Sequence, residues 1–302
     1  MAEVPNYGKL NLELNNGLKM PAVGIGTYRV QTYEDMYVLV DNALLYGYKL
    51  FDTASVYRNE AYLGQALREL LPKYDMDRED IFVTTKLSIN CAAPAEHGLQ
   101  YVPRALNKSL ELLGMDYVDM YMIHFPGIPK IPSSSPKNKS LRVESWKAME
   151  TLYEEGKTHS IGVCNFTEAH LKGILSNHTN VPVVNQVEFH PFYPQRDLLS
   201  YCNSQFISLQ AYCSFGGSSS GCNELMENPV VKAVAAEHEA TPAQVLLLWA
   251  LQQGAAVIPK STSPIHIRDN FKLNFRLTPG NLRALNSFNI TKKYTWDPSG
   301  VM

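Results

Sequence analysis

The sequence has few of the features that mark secreted, disulfide-bonded or strongly charged proteins. Its 302 residues include five cysteines. They are odd in number and form no Cys-X-X-Cys pair, so we expect neither a disulfide framework nor a structural zinc site. Lys and Arg number 27 against 29 Asp and Glu, a net charge of −2, which offers no sequence-wide attraction to nucleic acid or anionic lipid. No apolar run is long enough to cross a bilayer, and residues 1–10 lack the apolar core of a signal peptide. We therefore expect a cytoplasmic protein with no nucleic-acid or membrane partner.

What the sequence does contain begins with a hairpin pattern. Leu10, Leu12 and Leu14 alternate with polar residues, and Asn16-Gly17 then supplies a two-residue turn before the chain returns. Alternation followed by Asn-Gly is a strong short-range signal for a β-hairpin.

Beyond the hairpin, eight short apolar runs alternate with amphipathic stretches. The runs recur about every 33 residues, the size of a βα unit. They cover residues 22–25, 49–51, 81–85, 118–123, 160–164, 182–184, 207–211 and 255–259. Helical patterns cover residues 34–45, 60–71, 102–113, 144–155, 168–175 and 242–252. The polar tracts 128–140 and 216–223 predict long loops.

This alternation predicts an α/β fold, a (β/α)8 TIM barrel with an N-terminal β-hairpin. A doubly wound open sheet is the alternative. No composition break divides the chain, so we expect residues 1–302 to form a single domain.

Polar side chains stand at the ends of seven of the apolar runs. In a parallel barrel all these carboxyl ends meet on one face, where the βα loops build the active site. The sequence therefore predicts one shared polar pocket. The seven residues are Asp52, Lys86, His124, Asn165, Gln186, Tyr212 and Lys260.

Asp52, Lys86 and His124 are a poor metal-ligand set, because an ammonium group does not coordinate metals, and we expect no metal. A lysine held cationic by a carboxylate can lower the pKa of a nearby acid, and Tyr57 follows Asp52 by five residues. Tyr57, Lys86, Asp52 and His124 could then relay a proton. A structural ion pair beside an ordinary tyrosine is the other interpretation.

An ordered set of short motifs makes the sequence similar to the aldo-keto reductases, in particular the aldose and aldehyde reductases. The resemblance covers nearly the whole chain, and the ordered set is far more specific than any one motif. The motifs are GYKLFDTASVYRNE at 47–60 with Gly64, TKL at 85–87, IHFP at 123–126, GVCNF at 162–166, NQVE at 185–188, AY at 211–212 and IPKS at 258–261.

The resemblance implies a TIM barrel that reduces carbonyl groups with a nicotinamide cofactor. Asp52, Tyr57, Lys86 and His124 would form its catalytic tetrad. A glycine-rich dinucleotide fingerprint is absent, since Gly24-Ile25-Gly26 lacks the third glycine and opens no helix.

The same resemblance assigns the cofactor contacts, for which we expect NADPH, with NADH weaker. Asn165 and Gln186 would hold the nicotinamide carboxamide, and Tyr212 would stack on the ring. Cys164 stands where the family usually has a serine that touches the carboxamide. His266 stands where an arginine usually meets the 2′-phosphate. The adenosine phosphate would meet Lys260 and Ser261, with Arg268 and Asn270 near His266.

Tyr28, Ser88 and Phe125 align with substrate-pocket positions of the family. The short loop 216–223 and the short tail 290–302 suggest an open pocket. We expect a monomeric, NADPH-dependent carbonyl reductase of aldehydes or α-keto aldehydes, including open-chain sugars, with Tyr57 as general acid and a small-molecule carbonyl as its partner. The alternatives are a ketosteroid or prostaglandin reductase and a non-catalytic relative that binds the cofactor.

Overall fold

The computed structural model describes residues 6–87, 98–128, 130–176 and 179–302. The predicted hairpin is present: β1 (Asn11–Glu13) pairs antiparallel with β2 (Lys19–Pro21). Gly17 closes the turn with φ of 85°, a left-handed conformation that glycine adopts without strain. Leu14 and Met20 pack on the interior side chains of the main sheet, so the hairpin closes one end of that sheet.

The main sheet is a parallel barrel, which confirms the predicted fold and excludes the open sheet. Eight strands of the described ranges follow one another in chain order, each paired with the next. A parallel bridge between Val23 and Val257 joins the first strand to the last. The strands are β3 (Gly24–Gly26), β4 (Leu50–Asp52), β5 (Phe82–Leu87), β6 (Met120–Ile123), β7 (Ile161–Cys164), β8 (Val184–Glu188), β9 (Ser208–Tyr212) and β10 (Ala256–Val257).

Helices surround the barrel, and they include all six that the sequence patterns predict. They are α1 (Tyr33–Tyr46), α2 (Glu60–Leu70), α3 (Tyr101–Leu113), α4 (Lys137–Glu154), α5 (Glu168–Leu175), α6 (Arg196–Ser204), α7 (Pro229–Glu237), α8 (Pro242–Gln252), α9 (Pro264–Phe271) and α10 (Pro279–Asn286). The patterns missed α6, α7, α9 and α10, each of eight or nine residues. Asn228-Pro229 and Thr278-Pro279 are cap signals of the kind that begins α8 and could have revealed two of them.

Three predicted boundaries are wrong. The tract 128–140 is not all loop, because α4 begins at Lys137. Its first turns bury polar groups: Asn138 accepts a hydrogen bond from the Ile128 amide, and Arg142 donates to the Pro126 carbonyl, so apolar periodicity could not reveal them. The tract 216–223 contains a short 3-10 helix at Gly216–Ser220. Only the last residue of the run 182–184 belongs to a strand, because β8 spans Val184–Glu188.

The apolar core has two layers. Leu50, Phe82, Met120 and Met122 fill the barrel interior, and a larger cluster lies between the strands and the helices. Among the described residues, no helix has the length and apolar character needed to span a membrane.

Candidate active site

A cavity of about 770 Å³ opens at the carboxyl ends of the barrel strands. Because all eight strands run in the same direction, residues far apart in sequence meet there. Eleven of the predicted site residues line it. They are Tyr28, Asp52, Tyr57, His124, Cys164, Asn165, Gln186, Tyr212, Lys260, Ser261 and His266.

A buried ion pair lies at the inner end of this cavity. The Lys86 ammonium is 2.6 Å from Asp52 Oδ1 and donates a second hydrogen bond to the Thr53 carbonyl at 2.9 Å. The other carboxylate oxygen accepts from Gln186 Nε2 at 2.8 Å. Lys86 is fully buried, and an ammonium in such a place requires a paired, hydrogen-bonded partner. β4 and β5, which are neighbours, supply the two charges.

Tyr57 follows β4 on a short 3-10 turn and places its ring beside the ion pair. The Lys86 nitrogen is 5.4 Å from the centre of that ring. Burial, followed by the Asp52 carboxylate, raises the pKa of Tyr57 well above its ordinary value. The lowering that the sequence analysis expected from Lys86 is not the net result in this form, because burial and the Asp52 carboxylate both raise the pKa of Tyr57. The phenol stays protonated and can act as a proton donor.

His124, at the end of β6, lies opposite Tyr57, with ring centres 5.7 Å apart. Burial and the charge of Lys86 lower the pKa of His124 well below its ordinary value, so the imidazole is neutral. Its Nδ1 is buried and has no hydrogen-bond partner among the described residues. A neutral imidazole carries one N–H donor, which suits it to hydrogen-bond a substrate oxygen.

Two side-chain amides converge beside the tetrad. Asn165 follows β7 in a left-handed conformation, φ of 63°, and donates to the His124 carbonyl at 2.9 Å. Its Oδ1 accepts a hydrogen bond from the Tyr212 hydroxyl at 2.6 Å. Cys164 lies between the amides, with Sγ 3.2 Å from Asn165 Nδ2 and 3.7 Å from Gln186 Oε1. Burial raises the pKa of this thiol to about 12, so Cys164 is a neutral packing group.

The other end of the cavity is basic and rich in hydroxyl groups. Lys260, Ser261 and His266 line it together with Thr262 and Ser263, which precede α9. Ser263 precedes that helix and makes no side-chain cap, so amide groups at the helix terminus are available to an anion. Burial lowers the pKa of Lys260, with a smaller contribution from Arg29. Arg29, which the sequence analysis missed, also lines the cavity.

Two residues of the predicted cofactor region do not face the cavity. Asn270 is buried within α9. Arg268 is exposed and paired with Asp269 at 2.9 Å. Ser88, predicted for the substrate pocket, lies outside the described residues.

Aromatic rings form the substrate side of the cavity. Tyr28 packs on Tyr57 with ring centres 5.2 Å apart. Trp296, in the tail, lies 5.6 Å from the His124 ring and 6.0 Å from the Phe125 ring. The tail therefore adds a wall to the cavity, where its shortness had suggested an open side.

A second cavity of about 550 Å³ lies by the hairpin, lined by Asn15, Asn16, Val183 and Phe206 among others. It contains none of the predicted site residues and none of the buried charges.

The barrel, its closed end and the tetrad at its open end have a counterpart among known proteins. The sequence model of the Aldo/keto reductase family matches residues 22–290. The chain belongs to this family and is an oxidoreductase, as the sequence analysis expected.

Individual relatives extend over nearly the whole chain. It is 33 % identical to glyoxal reductase of Bacillus subtilis over 99 % of this chain and 100 % of that protein. It is 38 % identical to an NAD(P)H-dependent D-xylose reductase of Scheffersomyces stipitis over 87 % and 89 %, respectively. It is 36 % identical to a 9,11-endoperoxide prostaglandin H2 reductase of Trypanosoma cruzi over 94 % and 93 %.

A solved structure shows the same architecture. An aldo-keto reductase from a Medee basin deep-sea metagenome library superposes with a TM-score of 0.85 at 35 % identity. The match covers 97 % of this chain and 100 % of that one.

Proposed function

We propose that this protein reduces the carbonyl group of an aldehyde or α-keto aldehyde, including open-chain sugars, with NADPH and with Tyr57 as the general acid. One observation carries the proposal. A neutral phenol and a neutral imidazole face the same cavity, 5.7 Å apart between ring centres, beside a buried Asp52–Lys86 pair. This arrangement supplies a proton donor and an orienting donor to one substrate oxygen.

The polar groups along the cavity fit a nicotinamide dinucleotide. The amides of Asn165 and Gln186 would hold the carboxamide, with Cys164 beside them and Tyr212 against the ring. At the basic end, Lys260, Ser261 and His266 would hold the adenosine phosphate. Asn270 is buried in α9 and does not line the cavity. The cofactor, when bound, supplies the hydride.

The side chains have separate tasks in the proposed reaction. His124 donates a hydrogen bond that fixes the carbonyl oxygen, and Tyr57 transfers its proton to that oxygen as the carbonyl carbon becomes an alcohol carbon. The phenolate left on Tyr57 is a new negative charge near Asp52. The Lys86 ammonium, 5.4 Å from the centre of the Tyr57 ring, stabilises this charge until a proton returns from solvent.

The lining favours a compact substrate. Tyr28 and Trp296 enclose the reacting end with rings, and Phe125 does not line the cavity itself but packs against Trp296. The names of the glyoxal and xylose reductase relatives agree with small aldehydes.

A prostaglandin or ketosteroid reductase is the second candidate. The Trypanosoma cruzi relative is named for a prostaglandin substrate, and the exposed rings of Tyr28 and Trp296 could pack on a larger apolar molecule.

A panel of substrates separates the two candidates. It contains methylglyoxal, D-xylose, a ketosteroid and a prostaglandin, each followed by NADPH absorbance, with Tyr57→Phe as the background control. We expect the highest kcat/KM for an α-keto aldehyde. A higher value for the ketosteroid or the prostaglandin favours the second candidate, and no turnover of any member above the control rejects the proposal.

A further inference from the structure

Residues 293–296, here called the tail segment, are fastened to the barrel by one buried carboxylate. Glu188, on β8, accepts hydrogen bonds from the Tyr294 amide at 2.6 Å, the Thr295 amide at 3.0 Å and the Lys293 ammonium at 3.2 Å. The Thr295 hydroxyl donates to the same carboxylate. Four donors from three consecutive residues therefore converge on one side chain.

Glu188 is ionised in this setting. Burial by itself raises the pKa of the carboxyl, but hydrogen bonds from His190, Thr295 and the Tyr294 amide, with the charge of Lys293, outweigh it and lower the pKa to about 2. An ionised carboxylate only accepts hydrogen bonds. The single proton of the Thr295 hydroxyl is consequently committed to Glu188.

This commitment leaves the Tyr212 hydroxyl with one proton and two acceptors. Its oxygen lies 2.6 Å from Asn165 Oδ1 and 2.9 Å from Thr295 Oγ1. While Asn165 takes the proton, Thr295 Oγ1 receives none. An amide oxygen can accept two hydrogen bonds, but a second donor at Asn165 Oδ1, such as a carboxamide N–H, competes with the Tyr212 hydroxyl and favours its turning to Thr295.

The tail segment carries a wall of the substrate cavity. Trp296, directly after Thr295, lies against the rings of His124 and Phe125. It is 46 % exposed, whereas Trp146 and Trp249 are buried. A change in the hydrogen bonds of Thr295 therefore changes how firmly the Trp296 ring is held next to the proposed position of the reacting carbonyl.

We propose that Thr295 is a positioning residue. It couples the Asn165 side chain, which would bind the cofactor carboxamide, to the aromatic wall of the substrate cavity formed by Trp296. The inference rests on the proposed function, since it assumes that a nicotinamide carboxamide occupies Asn165. Occupation turns the Tyr212 O–H from Asn165 to Thr295, adds a hydrogen bond to the tail segment and holds Trp296 in place. Coupling of this kind is reciprocal, so a fixed tail segment also favours the bound cofactor.

Acrylamide quenching of tryptophan fluorescence tests the coupling, because Trp296 is the accessible tryptophan of the three. Quenching is measured with and without NADP⁺ in the wild type, Thr295→Val and Thr295→Ser, and Trp296→Phe gives the baseline. Valine keeps the shape and the backbone amide but lacks the oxygen, whereas serine keeps the oxygen. Tyr212→Phe removes the hydroxyl group of Tyr212 and so tests the same contact from its other partner.

We expect NADP⁺ to reduce quenching in the wild type and in Thr295→Ser, and the reduction to disappear in Thr295→Val and in Tyr212→Phe. Thr295→Val removes the contact with Tyr212 and also the hydrogen bond to the ionised Glu188. In steady-state assays it should raise KM for the carbonyl substrate by at least about two- to tenfold, the range for one neutral hydrogen bond, with kcat little changed. Thr295→Ser should restore KM.

Two results would overturn the inference in distinguishable ways. Equal protection of Trp296 in the wild type and Thr295→Val, with NADP⁺ bound in both, rejects the coupling and leaves the proposed function intact. No binding of NADP⁺ to the wild type in a parallel titration rejects both.

Discussion

At the scale of single residues, Tyr57 and Tyr28 provide a matched pair of phenols on one side of the cavity. Their ring centres are 5.2 Å apart, but only Tyr57 lies beside His124 and Lys86. Tyr57→Phe should lower turnover about 10²- to 10⁴-fold, the usual loss when a general acid is removed. Cofactor affinity should be nearly unchanged, since Asn165 and the other proposed cofactor contacts lie on later strands.

Turnover and fluorescence titration of NADPH measure the two effects side by side. Tyr28→Phe serves as the control and should keep most of the activity. Near-normal turnover in Tyr57→Phe, or an equal loss in Tyr28→Phe, contradicts the assignment of the acid.

His266 should contribute to the preference for NADPH over NADH. It lines the same end of the cavity as Lys260 and Ser261, where the 2′-phosphate would lie. His266→Arg supplies a forked, charged donor that suits a phosphate, so it should raise the ratio of NADPH to NADH affinity. His266→Ala removes the donor and should lower this ratio. Fluorescence titration of both cofactors measures it.

Arg268→Gln is the control for this comparison, because Arg268 is paired with Asp269 and does not line the cavity. It should keep the wild-type ratio. An unchanged ratio in both His266 variants removes His266 from phosphate recognition, and tighter binding of NADH than of NADPH by the wild type rejects the proposed cofactor.

At the scale of elements, the close packing of α2 on α3 depends on Gly64. A β-carbon at this position would overlap the Leu113 carbonyl oxygen at the end of α3. Alanine is the better helix former by about 1 kcal/mol, but moving one backbone away from another costs more. We expect Gly64→Ala to lower the free energy of unfolding by about 1–3 kcal/mol, the usual cost of overpacking.

Gly173, inside α5, is the matched control. The nearest atom to a β-carbon there is Lys139 Cε at 4.0 Å, an ordinary contact. Gly173→Ala should therefore raise the free energy of unfolding by about 0.5–1 kcal/mol. Equilibrium urea denaturation measures both variants, and a Gly64→Ala protein as stable as the wild type would show that the two helices can move apart without cost.

At the scale of the whole molecule, His170 links the end of the chain to the barrel. Its Nε2 lies 2.8 Å from the Val301 carbonyl, and its Nδ1 accepts from the Thr167 amide that begins α5. Burial lowers the pKa of His170 to about 4, against about 6.5 in an unfolded chain. Between these values the unfolded state binds more protons than the folded state, so stability is lost as the pH falls from about 6.5 towards 4.

Urea denaturation at pH 7 and pH 5 should show this loss, with His170 contributing on the order of 2 kcal/mol. In His170→Gln, which keeps a polar side chain at the start of α5, the loss should be smaller by that amount. The remainder reflects other groups, of which His124 is one, since its pKa is also lowered. An identical loss in both proteins would contradict the assignment.

Local patterns in the sequence predicted the barrel, the hairpin and most of the polar residues around the cavity. Apolar runs, cap residues such as Thr241-Pro242 and the Asn16-Gly17 turn are local signals, readable from near neighbours in the chain. Because parallel strands end on one face, the residues that follow the runs had to meet there. The short motifs then indicated the family, which the comparisons confirm.

Features of the site that depend on contacts between distant segments of the chain could not be predicted from the sequence. Glu188 and Thr295 are ordinary residues in the sequence, and their bond appears only when the tail segment folds across β8. Arg29 and Trp296 reach the cavity from loops that carry no periodic pattern. The upward shift of the Tyr57 pKa could not be predicted either, because it depends on how deeply the ring is buried and on its distance from Asp52. Spacing in the sequence measures neither of these.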